Sequence, residues 1–301
     1  MSHNNCTTTH RPSSRLDTCP KLFGCVDASY INACYLCDEL SDRYICQSCE
    51  ALCALRNRSF LDQNLVSTGH YPQLLSADFD CLLVLDWYQY PWTTLVPLLK
   101  FHKQAQIGKV LGTWFVLYRM YRFYDVATLN NKKNKIVTHT QDNLAPRVRC
   151  EDTQTQSALY LTSQHLPEAM VPIPLHPKRE RQRGYNQALL IAETISELTG
   201  IPVVTDAVQR SQYTKAQTEL DREHRLANLA DAFSVSLTKL GHYSHIALVD
   251  DVLTTGSTLN TVCNALYKQY PRLRISVWCM TIAVDDTVVE EFCEKHLDHL
   301  Q

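Results

Sequence analysis

Three groups of residues in this 301-residue chain have the types and spacing to do chemistry. In the first, adjacent carboxylates Asp250 and Asp251 are followed by the hydroxyls of Thr254, Thr255, Ser257 and Thr258, interrupted by Gly256. Loop amides and a helix N-terminus can hold a phosphate dianion, and the hydroxyls add donors. Gly256 permits a positive φ and a close backbone approach. The carboxylates would repel phosphate but suit sugar hydroxyls or a hard cation such as Mg2+. In the second group, Cys34 and Cys37 are followed after eight residues by Cys46 and Cys49. Two such knuckles can close a tetrahedral all-thiolate shell of the kind structural Zn2+ prefers, which leaves no open position for catalysis. A redox dithiol pair, an iron–sulfur cluster and unliganded core cysteines are the alternatives, and Cys53 is close enough in sequence to replace one ligand. The third group is Lys178, Arg179, Arg181 and Arg183, four cations within six residues. Arg forks match phosphate oxygens in a bidentate way, so Arg179, Arg181 and Arg183 are candidates for a pyrophosphate. The plain alternative is a solvated basic turn.

The elements needed to position these groups can be read around them. Ile246–Val249 is a short apolar run suited to a buried parallel strand, with the two acids placed where that strand ends. The hydroxyl loop leads into a helix with Leu259, Val262, Cys263 and Leu266 inward. Met170–Leu175 reads as a strand whose prolines suggest an edge or a tight exit. Leu189–Leu198 reads as a helix closed by Gly200, and Ile201–Val204 as the next strand. Ala232–Val235 and Arg274–Val284 read as further strands. Upstream, Cys81–Leu85 with Trp87 reads as a strand, Thr93–Lys103 as a helix, and Ile107–Tyr124 as a core-facing helix whose aromatic residues pack rather than stack on bases. The stretch from Arg210 to Arg225 holds Thr214, Gln217 and Arg225 but few large apolar residues. It fits a mobile loop folding over a ligand, and equally an ordinary surface loop. Strand–helix alternation implies a mostly parallel sheet with its ligand at the strands' C-terminal ends.

Composition narrows the classes. At 45% apolar the chain can bury a sizeable core, and a net charge of −2 carries no global bias toward nucleic acid or membrane. No run of 18 apolar residues and no charged-then-apolar leader is seen, so a soluble, cytoplasmic protein without a membrane span is expected. Thirteen cysteines, an odd number with a tight cluster, fit a reducing compartment and metal binding better than disulfides. No Gly-x4-Gly-Lys-Ser/Thr loop occurs, which argues against an autonomous nucleic-acid motor.

The run Ile246–Thr258 resembles the phosphoribosyl-pyrophosphate (PRPP) signature of type I phosphoribosyltransferases at all thirteen positions. With the four cysteines, Leu99-Lys100-Phe101, Val171–Leu175, Arg181-x-Arg183-Gly184-Tyr185-Asn186-Gln187, Thr214-x2-Gln217 and Arg225-x2-Asn228-x4-Phe233, the chain resembles the ComF family from about Cys34 to Val284. The resemblance implies an α/β type I phosphoribosyltransferase fold with a small N-terminal zinc-binding region. It divides the chain into an extension (1–30), the zinc-finger region (31–56), an α/β connecting region (57–129), a polar insertion (130–157), the transferase core (158–285) and an amphipathic tail (286–301). It further implies PRPP and Mg2+ as ligands. Asp250 and Asp251 would serve ribose, cation and proton transfer, and Thr254 to Thr258 the 5′-phosphate. Thr214, Gln217 and Arg225 would lie on the mobile loop. The acceptor substrate is not specified by any residue. A PRPP- or nucleotide-sensing module without catalysis, and a competence accessory protein contacting single-stranded DNA or a helicase, are the competing readings. The insertion and the tail depart from the compact family pattern.

Overall fold

The structure, a computed structural model, describes residues 31–55, 64–68, 71, 74, 76–120, 166–210, 232–236 and 238–285. The extension, the polar insertion, the amphipathic tail and the loop residues Thr214, Gln217 and Arg225 lie outside the described residues.

Four strands form the central sheet: β3 (Cys81–Trp87), β4 (Ala169–Pro172), β7 (His245–Leu253) and β8 (Arg274–Ile282), in the order β3-β8-β7-β4 and parallel throughout. Alternate residues of each strand feed two separate cores, as the twofold side-chain period requires. Ile246 and Leu248 of β7, with Ile275 and Val277 of β8, pack with Leu259, Val262, Cys263 and Leu266 of α6 (Ser257–Gln269). On the opposite face, Ala247, Val249, Trp278 and Met280 pack with α2 (Trp92–Phe101), α3 (Gln106–Phe115) and α5 (Gln187–Thr199). Both faces are covered, which is why the strands read as continuous apolar runs. The chain is a mixed α/β protein with a parallel four-stranded sheet flanked by helices.

A small cysteine-bearing unit packs at the outer side of the second core. It comprises β1 (Asn32–Ala33), β2 (Leu40–Ser41) and α1 (Gln47–Leu55). Two polar contacts attach it. Glu50 of α1 accepts from the Trp114 indole at 2.8 Å, and the Tyr35 hydroxyl meets Gln104 Oε1 at 2.7 Å. Burial holds the Glu50 carboxyl above its ordinary range despite the Trp114 and Arg43 hydrogen bonds.

Several local expectations change. The strand carrying the acids does not stop at Val249 but continues to Leu253, because its backbone keeps pairing with β8 through Asp250↔Cys279 and Val252↔Thr281. The ladder uses main-chain groups and tolerates the two carboxylates. Ile201–Val204 forms no full strand: Pro202 lacks an amide, and only the bridge Met170↔Val203 remains, with bonds from Met170 N to Pro202 O and from Val204 N to Met170 O. The basic stretch, for which a solvated turn is the plain alternative, forms α4 (Pro177–Arg183), capped by the His176 ring accepting from Lys178 N and ended by Gly184 at φ 85°. Arg210 does not begin a loop. It ends β5 (Val208–Arg210), which pairs antiparallel with β6 (Phe233–Val235), its guanidinium 5.4 Å from the Phe233 ring. The helix expected from Ile107 starts at Gln106 and passes into a π turn over Val116–Met120.

Candidate functional site

The chain leaves β4 through α5 on one face and returns beside β4's outer edge at Val203, whereas it leaves β7 through α6 on the other face toward β8. The boundary between β4 and β7 is therefore a topological switch point, where open α/β sheets form a crevice at the strands' carboxyl ends. Two of the three chemistry-bearing groups stand on either side of it, the acid–hydroxyl loop after β7 and the basic helix after β4.

On the β7 side, Gly256 takes φ 72° and is the residue from which α6 starts. The positive φ turns the backbone so that Thr254, Thr255 and Ser257 stay exposed above a hollow of about 50 Å³ lined by Asp250 and the residues from Val252 to Leu259. The Thr255 and Ser257 hydroxyls lie 3.0 Å apart, and Thr258 is half-buried on the first turn of the helix. The Asp250 carboxyl accepts from the Asp251 amide at 2.8 Å. Burial, followed by the neighbouring Asp251 charge, pushes the Asp250 carboxyl up to about 7.

On the β4 side, Arg179, Gln182 and Arg183 share one face of α4 at i, i+3 and i+4 and line an open cavity of about 480 Å³. Arg181, half a turn away, is exposed and does not line it. The opposite wall comes from the end of α2 and the residues after it: Lys100, Phe101 and Lys103. The two walls are tied together. The Tyr185 hydroxyl donates to Leu99 O at 2.6 Å, and the Arg183 guanidinium sits 5.5 Å from the centre of the Phe101 ring. Arg183 also donates to Gln187 at 2.7 Å, while Asn186 caps α5 and holds the Ile173 carbonyl.

Lys100 connects the two sides. It is one of the residues lining the basic cavity, and its ammonium makes a 2.9 Å ion pair with Asp251, whose side chain is only 9% exposed. The sequence marks Leu99-Lys100-Phe101 only as part of the family pattern. Nothing in its spacing from Asp251, far along the chain, signals the contact.

The third group is separate. The sulfurs of Cys34, Cys37, Cys46 and Cys49 all lie within 4.8 Å of one another. A tetrahedral zinc–thiolate shell has sulfur edges of about 3.8 Å given its bond length, so the arrangement fits a metal such as zinc. Burial raises the Cys34 thiol, but hydrogen bonds, led by those from the Cys46 and Leu36 amides, outweigh it and bring the group down to about 7. That favours a thiolate at Cys34 itself, whereas the Cys49 thiol, through burial first, and the Cys37 thiol are raised. Cys53, which the sequence offers as a substitute for one of the four, is buried but stands outside this cluster. None of the described cysteines forms a disulfide. Among the described residues no helix is long and apolar enough to cross a membrane.

Part of the chain is similar in sequence to named proteins. The chain is 44% identical over 104 residues to competence protein F of Haemophilus influenzae, covering 34% of this chain and 45% of that protein. It is 34% identical over 119 residues to the DNA utilization protein YhgH of Escherichia coli, covering 40% and 51% respectively. It is 33% identical over 100 residues to competence protein ComFC of Bacillus subtilis, covering 33% and 38%. The chain spans about half or less of the length of these curated relatives. No family model and no solved structure matches it. Over those stretches the chain is similar to proteins named for competence and for DNA utilization.

Proposed function

We propose that the switch-point crevice binds PRPP with Mg2+ and that the protein is a phosphoribosyltransferase-type enzyme working in competence or DNA utilization. The observation that carries this reading is the facing of the acid–hydroxyl loop after β7 and the Arg179/Arg183 cavity after β4 across one switch point, with Lys100 between them. The turn at Gly256 would hold the 5′-phosphate with Thr254, Thr255, Ser257 and Thr258. Asp250 and Asp251 offer oxygen ligands of the kind Mg2+ takes and acceptors for ribose hydroxyls. Arg179 and Arg183 would receive the pyrophosphate, and Arg181 would have to turn inward to join them. Phosphoribosyl transfer needs no protein nucleophile. The ribose C1–O bond to pyrophosphate breaks as the acceptor bonds to C1, so positioning and charge stabilisation would supply the catalysis. Asp250 or Asp251 would take a proton from the incoming acceptor. The part in competence or DNA utilization rests on what the relatives are named for. In that role, single-stranded DNA or a helicase would be the partner, and the cysteine unit, holding structural Zn2+, would be a candidate contact surface.

Calorimetric titration of PRPP with Mg2+ tests this on the wild type and on the Asp250→Asn/Asp251→Asn double variant. Saturable binding that the variant loses is the expected result. A wild type that fails to bind PRPP would sink the reading.

A further inference from the structure

Lys100 occupies an unusual position. It is carried at the end of α2, yet its ammonium is 2.9 Å from Asp251 Oδ1, on the strand that bears the acid pair. It is 21% exposed and Asp251 is 9% exposed, so the pair is sheltered rather than dissolved in bulk water. The same side chain lines the cavity with Lys103, Arg179 and Arg183. A flexible four-carbon stem lets one ammonium reach either the acid or the cavity interior. An ammonium this close to Asp251 Oδ1 weakens the hold of a divalent cation on the same carboxylate, because two like charges that close in a sheltered site repel.

We propose that Lys100 is the resident counter-ion of Asp251, and that it releases this carboxylate and turns into the basic cavity when a cation–polyphosphate ligand enters. This rests on the functional reading above for the identity of the ligand, but not for the exchange itself. Lys100 thereby couples the two sides of the crevice. It keeps a bare divalent cation off the acids, and it adds a charge to the anion cavity only once the acids have gained another cation.

The test compares Lys100→Met with Lys100→Arg, each checked for native circular dichroism, by titrating Mn2+ alone and then PRPP with Mg2+. Lys100→Met is expected to tighten Mn2+ binding by about tenfold and to weaken PRPP binding by a similar factor, the scale of one close charge pair. Lys100→Arg, which keeps the charge, is expected to leave Mn2+ binding near wild type. Effects of opposite sign on the two ligands are what loss of one ammonium acting on both sides of the crevice would produce. Mn2+ affinity unchanged or weakened in Lys100→Met would overturn the proposal, even with PRPP bound normally by the wild type. If Lys100→Met does not fold, Lys100→Gln is used under the same criteria. A wild type blind to PRPP, combined with Mn2+ tightening in the Met variant, would support the exchange while removing the functional reading on which its ligand rests.

Discussion

Adding one methyl group at Gly112 tests whether the close approach of α3 and α5 sets the geometry of the crevice. A Cβ at this position would lie 2.7 Å from Thr194 Cβ and 2.9 Å from the Ile191 carbonyl oxygen. Neither neighbour is the free end of a flexible side chain, so the helices themselves must part. The separation needed is about 0.7 Å, the gap between 2.7 Å and an ordinary contact of 3.4 Å. Overpacking of this kind costs about 1–3 kcal/mol. Alanine recovers up to about 1 kcal/mol of helix propensity over glycine, which does not cancel a clash with backbone. A net loss of about 1–2 kcal/mol converts to a Tm fall of roughly 2–8 °C for a domain of this size. Differential scanning calorimetry reads it, with Gly241→Ala as control, where the nearest atom is 3.9 Å away. The same displacement would move both walls of the basic cavity, since α3 follows the helix bearing Lys100 and α5 follows Arg183, so the ligand affinity of Gly112→Ala should fall with its Tm. A Tm at or above that of the wild type would refute the argument, showing that the helices part freely and that propensity decides.

Two further outcomes are expected. Native protein purified under reducing conditions should carry one zinc per chain. Cys46→Ser should lose it and melt at lower temperature while Cys53→Ser keeps it, as read by elemental analysis and calorimetry; metal content and Tm unchanged in Cys46→Ser would disprove the four-cysteine assignment. His245, whose ring is 2.8 Å from Ser276 Oγ, is driven down to about 4 by burial and then by the Arg274 charge. Because its folded value lies below the ordinary 6.5, its contribution is complete above pH 6.5 and disappears as pH falls through about 4. The loss amounts to at most about 3 kcal/mol, and His245→Gln should flatten that part of the Tm–pH curve. Parallel curves for wild type and variant would show that the ring does not titrate as its surroundings dictate.

The local strings already determine a good deal. Ile246–Thr258 specifies a buried strand, a glycine turn and a helix start, since apolar continuity, a residue free to adopt positive φ and hydroxyls before a periodic helix are all short-range signals. The four cysteines announce their own cluster by spacing alone, because each knuckle closes within four residues. Gly200 and Asn186 mark the ends of α5 for the same local reason. Elsewhere the backbone decides against side-chain appearance. Main-chain pairing with β8 carries β7 through two carboxylates, Pro202 withholds the amide that a further strand needs, and the His176 ring caps a short basic helix. What only the tertiary structure decides is the meeting of distant residues. The i, i+4 face of α4 separates Arg179 and Arg183 from Arg181, and the stacking of α2 over the end of β7 brings Lys100 to Asp251. No local rule encodes that contact, because it depends on which strands become neighbours and on which face each crossover packs. Those choices are made by burial of the whole sheet.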